Sequence, residues 1–84
     1  KVMEEDMIEL EDKEGNKVKY EILDVIYKED DEFAVMLPED SEDEVVIFKI
    51  YPTAKEDEVE YHEVEDEELA DEIFNEFIKR TNEE

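Results

Sequence analysis

The gaps between the apolar runs of this chain are too short for any crossover, and this constrains its fold more than any other feature. Five runs have strand character: Met7–Asp12, Lys17–Tyr27, Glu32–Leu37, Val45–Tyr51 and Glu58–Val64. The longest connection between them is the acidic loop Pro38–Glu44. A parallel pair needs a crossover of a dozen or more residues, so runs this close pair antiparallel.

Each run carries its own signals. Met7–Asp12 alternates apolar and acidic residues, as a half-buried strand does. Lys13-Glu14-Gly15-Asn16 follows with the only glycine of the chain, which supplies the positive φ of a bulged hairpin turn. In Lys17–Tyr27, Val18, Tyr20 and Ile22 share one face, but Leu23, Val25 and Tyr27 have the opposite parity. Two remedies stay open: a β-bulge near Ile22 and Leu23 that keeps both sets on the core side, or strong twist with two covered faces. After a turn at Glu29–Asp31, Glu32–Leu37 is apolar on both faces, as an interior strand is. Pro38 ends it, because proline cannot donate to a sheet ladder. Val45–Tyr51 is the most apolar stretch and suits a central strand; Pro52 stops it. In Glu58–Val64, Val59 and Tyr61 alternate with Glu58, Glu60 and His62, leaving one face wet.

The period then changes from two to 3.6. Asp66 is a good N-cap, and Glu67 and Glu68 place negative charge in a first turn. Leu69, Ala70, Ile73, Phe74, Phe77 and Ile78 form one apolar stripe, closed by Lys79 and Arg80, so the helix spans about Glu67 to Lys79. The expected fold is α+β: about five antiparallel strands in a meander-like sheet, covered by one C-terminal amphipathic helix. Leu, Ile, Val and Phe are about 27 % of the 84 residues, above the roughly 20 % below which highly charged chains stay disordered. We expect a single domain over 1–84 with an ordered core at about 7–80, flexible ends at 1–6 and 81–84, and a monomer.

Charge bounds the partners. Lys and Arg number 9 against 32 Asp and Glu, a net charge of −23. Such a field repels nucleic acid, anionic membrane and nucleotide phosphates, and attracts basic surfaces. Glu outnumbers Asp and Lys outnumbers Arg, the reverse of a salt-adapted surface. The chain has no cysteine, which removes disulfides and thiol chemistry and fits a cytoplasmic location. No apolar run approaches the roughly 18 residues that span a bilayer.

Catalytic chemistry has little to work with. His62 is the only histidine; Glu60 shares its face, Glu63 does not, and no nucleophile adjoins it, since Ser41, Thr53 and Thr81 lie in loops or at the helix end. One glycine cannot build a phosphate-binding loop. Asp40, Glu42, Asp43 and Glu44 lack the central glycine of an EF-hand loop. We therefore expect no catalytic residue, no cofactor and no dedicated metal site.

The acidic surfaces are the remaining candidates for function. One is the helix exterior, with Glu68, Glu72 and Glu76 at i, i+4 and i+8 and Asp71 alongside. The other is the loop with Glu39, Asp40, Glu42, Asp43 and Glu44. The expected role is a non-catalytic adaptor or regulatory module that docks a basic protein surface, with the rigid helix as the favoured side. The alternative is a nucleic-acid mimic, because carboxylates about 6 Å apart along a helix resemble a phosphate track. An enzyme is the third class.

A family pattern covers nearly the whole chain, from about Ile8 to Phe77. The runs EDKEGNKVKYEILDV, EFAVMLPED, EDEVVIFKI and VEDEELADEIFNEF resemble the YrzB-like small acidic bacterial proteins, domain-of-unknown-function family 1292. Tyr51-Pro52-Thr53-Ala54 departs from the acidic or glycine turn usual there. The resemblance implies a Firmicutes-type bacterial cytoplasmic protein and brings with it no activity, cofactor or catalytic residue.

Overall fold

A computed structural model describes residues 7–11, 14–41 and 43–82. The elements are β1 (Met7–Glu11), β2 (Lys17–Lys28), β3 (Asp31–Pro38), β4 (Val46–Pro52), β5 (Val59–Glu63) and α1 (Glu67–Asn82). The strands form one sheet in the order β1-β2-β3-β4-β5, a meander with the antiparallel sense that the short connections require. The ends 1–6 and 83–84, Asp12, Lys13 and Glu42 lie outside the described residues. The helix runs three residues beyond Lys79, to Asn82.

The phase slip in β2 is a bulge, and it works together with two covered faces. Ile22 pairs with Met36 and Asp24 with Val35, so one residue of β2 is extra at Leu23. Cross-strand partners share a face. Before the bulge, Tyr20 and Ile22 pack with Ala34, Met36 and Phe48. At and beyond it, Leu23 and Ile26 join Phe33, Val35, Ile47 and Ile73 on the opposite side. By register Val25 shares a face with Ala34 and Tyr27 with Glu32, the side of Tyr20 and Ile22, so the bulge keeps those apolar residues on one face and only Leu23 crosses to the other. Ile26, outside both sets, is the buried residue of β2, while Tyr27 is 73 % exposed.

Both faces of the sheet consequently carry core. On one, Ile73 of α1 is fully buried against Phe33, Val35 and Ile47, flanked by Leu69, Ala70 and Phe77. The other face is covered by no described helix, yet Ala34 and Met36 have no exposure. Its shielding comes from curvature. β1 and β5 stand at opposite ends of the strand order, but Leu10 and Glu11 of one and Tyr61 and Glu63 of the other wall a single cavity. The sheet curls until its edges face each other, and the concave side buries itself.

Turn chemistry sets the ends. Gly15 has φ of 87°, the left-handed position expected of the β1–β2 turn. Glu29 (φ 52°) and Asp30 (φ 73°) also take positive φ, the pattern of a type I′ hairpin turn that Asn-Gly ordinarily fills. Asp66 caps α1: its Oδ1 accepts from Glu68 N at 3.0 Å and Leu69 N at 3.3 Å.

Candidate functional site

The apolar stripe of α1 is wider than the sheet beneath it. At 3.6 residues per turn, Leu69 to Ile78 spread over roughly 180°, where an apolar face of about 100° suffices for packing. The surplus falls on the flank toward β4, leaving Phe74 37 % and Ile78 39 % exposed. Beside Phe74, a cleft of about 270 Å³ opens between the helix and the β3–β4 loop. Val45, Ile47, Ala70 and Phe74 form its apolar lining, and Asp43, Glu44 and Asp71 give it carboxylates.

This cleft joins parts of the two acidic surfaces. Asp43 and Glu44 come from the loop and Asp71 from the helix. Ser41 shapes the loop there: its N–H donates to Pro38 O at 3.0 Å and its Oγ accepts from Glu44 N at 3.1 Å. The remaining candidates lie elsewhere. Glu39 and Asp40 line a separate shallow cleft with Lys17 and Lys19, where local charge is partly balanced. Glu42 lies outside the described residues.

On the helix, Glu68, Glu72 and Glu76 form a row that starts beside Asp71 and turns toward β2. Lys28 Nζ approaches Glu72 Oε1 at 3.2 Å, which interrupts the row of like charges. Arg80 does not serve Glu76, its i−4 neighbour. Its Nη1 instead donates to Val25 O at 3.2 Å and lies 3.5 Å from Asp24 Oδ2, pinning the end of α1 to the bulged strand.

His62 sits on the exposed side of β5. Its Nε2 lies 3.0 Å from Glu60 Oε1, the neighbour that strand parity predicts, and its ring stands edge-on to Tyr51 at 4.7 Å. Tyr27 donates to Glu32 Oε2 at 3.1 Å; that bond, and then the carboxylate's charge, raises its pKa above the ordinary 10.0. Among the described residues, no His, Cys, Asp and Glu group is arranged to hold a metal. No helix there is long and apolar enough to cross a membrane.

Sequence reasoning misses Phe74 and Ile78 as surface groups, because a stripe at helical spacing reads whole as core. The width of the stripe was the available signal.

Fold and surface together define a small α+β protein with an acidic, partly apolar surface. The chain belongs to a family described as a protein of unknown function (DUF1292), which matches residues 13–81. Similar proteins include a UPF0473 protein of Heliobacterium modesticaldum, 36 % identical over 66 residues that cover 77 % of this chain and 74 % of the relative. UPF0473 proteins of Caldicellulosiruptor bescii and Caldicellulosiruptor saccharolyticus are 34 % and 33 % identical. Each of those alignments covers 95 % of this chain, with 85 % and 84 % of the relatives. No solved structure matches the chain significantly.

Proposed function

We propose that this protein is a non-catalytic adaptor or regulatory module, and that a basic protein surface docks in the cleft between the β3–β4 loop and α1. The reading rests on one observation: Asp43, Glu44 and Asp71 converge around an apolar floor that includes the exposed ring of Phe74. Charge alone speeds encounter and selects the sign of the partner. An apolar floor adds desolvated contact, and aromatic anchors carry a large share of interface energy. The fitting partner is a basic segment that also presents an apolar side chain. Neither a metal nor a cofactor is part of this role.

Affinity capture from bacterial extract with the parent and a Phe74→Ser variant is the test. A basic protein retained by the parent and lost by the folded variant is the expected result. Retention that Phe74→Ser and Asp71→Lys leave unchanged contradicts the assignment of the cleft.

A further inference from the structure

The concave side of the sheet holds a second cavity, of about 390 Å³, at the mouth where β1 and β5 face each other. It lies within the roughly 300–1,000 Å³ of small-ligand pockets. Three aromatic rings line it, Tyr20 from β2, Phe48 from β4 and Tyr61 from β5, with Leu10 closing the β1 side. Tyr20 and Phe48 meet edge to face, centroids 5.2 Å apart and planes at 77°. Packed against each other in this way, the two rings hold one another in place, and what they leave uncovered faces the cavity together with the ring of Tyr61. Carboxylates of Glu11 and Glu63 stand at the same mouth, one from each edge strand.

Aromatic faces carry negative quadrupole density and attract cations within about 6 Å of the ring centroid. Adjacent rings in a partly desolvated cavity, with carboxylates at the entrance, are the chemistry that recognises an ammonium or guanidinium group. The walls reject anions by charge, and the carboxylates disfavour a purely apolar occupant, which would strip their water without replacing it.

We propose that this cavity is a cage for a lysine or arginine side chain of a basic protein segment. The proposal rests on the reading of a basic partner and adds a second, separate point of contact to it. The cage lies on the face of the sheet opposite α1, so the two sites are independent in position. Curling of the sheet builds the cage, because β1 and β5 each supply one side of the mouth.

A short lysine-rich peptide, titrated at low salt into the full chain while ring and methyl protons are followed by NMR, tests the cage. Saturable shifts at Tyr20, Phe48, Tyr61 and Leu10 are expected. Tyr61→Leu, which keeps apolar volume and removes the ring, should weaken binding roughly fivefold to thirtyfold, and Tyr61→Phe should retain it. Glu63→Gln, at an exposed position, should also weaken binding, and it covers the case in which Tyr61→Leu fails to fold. The same peptide with acetylated lysines should not bind. Shifts confined to Phe74 and its surroundings, or equal binding of the acetylated peptide, overturn the cage and leave the basic-partner reading in place. No saturable binding of the basic peptide to any face overturns both.

Discussion

The two faces of the sheet solve the same problem by different means. On the helical face, burial is borrowed: Phe33, Val35 and Ile47 are covered because Ile73 of α1 lies on them. On the concave face, burial is intrinsic to the sheet. Ala34, Met36 and Phe48 are shielded by Tyr20, Ile22, Ile50 and Tyr61 from neighbouring strands, with Ile8 and Leu10 of the edge. The helical face therefore depends on one separable element, and the concave face on the pairing of all five strands. Each leaves a gap at its margin. The overhanging stripe of α1 leaves the acidic cleft beside Phe74, and the incompletely closed curl leaves the aromatic cavity between β1 and β5.

Removal of the helix should break the comparison most severely. A chain ending at Glu65 loses the cover of the Phe33, Val35 and Ile47 cluster and should show no cooperative thermal transition. A truncated chain that still melts cooperatively would mean that the curled sheet folds alone. Single truncations sharpen the point. Ile73→Ala and Met36→Ala should each cost about 2–5 kcal/mol in denaturant unfolding, the range for large-to-small core substitutions. For a domain whose whole stability is about 4–12 kcal/mol, either is a major loss. A small effect of Met36→Ala would show that the concave side is surface, not core.

The number of the strands and their antiparallel sense were legible in the sequence, because the short connections leave no room for crossovers, but their order was not. The α1 cap at Asp66 was legible for a local reason, the side chain at a position that accepts backbone N–H groups. What escaped was non-local. The parity of β2 announced an irregularity near Ile22, but only the partner strand decides that Ile26 turns inward while Tyr27 faces solvent. The β2–β3 turn lacks glycine, so nothing in Glu29-Asp30 signals two consecutive positive φ values. Curling was also invisible, since Leu10, Tyr20 and Tyr61 sit on three separate strands. For the candidate surfaces, the sequence offered the acids only as a helix group and a loop group. Their division into the Asp43, Glu44 and Asp71 cleft, the Glu68, Glu72 and Glu76 flank and the Glu39 and Asp40 patch required helix rotation and loop direction.

Smaller effects probe the turns that hold the strands in register. Gly15→Ala meets no atom within 4 Å of the added Cβ, so its cost is conformational, about 1–2 kcal/mol from the left-handed backbone. It should loosen β1 and the concave face more than the helical one, which amide exchange of Ile8 and Leu10 against Ile73 would report. Asp30→Gly should act oppositely and raise stability by about 0.5–1 kcal/mol, because glycine relieves the same strain. Smallest of all is Tyr27. Its folded pKa is raised above 10.0, so its contribution is fully present below that value and fades as pH rises through the folded pKa. Absorbance titration of the parent against Tyr27→Phe should show Tyr27 ionising late, and Glu32→Gln should bring it back toward 10.0; an unchanged titration would remove Glu32 as the cause.

The central claim is that a basic partner reads a particular cleft and not the overall charge of −23. Two triple reversals change net charge equally and differ only in place. One is Asp43→Lys with Glu44→Lys and Asp71→Lys at the cleft; the other is Glu68→Lys with Glu72→Lys and Glu76→Lys on the adjoining row outside it. The most direct measurement is the association rate of each with an amphipathic, lysine-rich peptide at low salt. The cleft reversal should slow association by roughly tenfold or more and the row reversal by much less, because steering is strongest where the charges adjoin the contact. Equal slowing by the two reversals would show that the peptide senses only net charge, and would contradict the account.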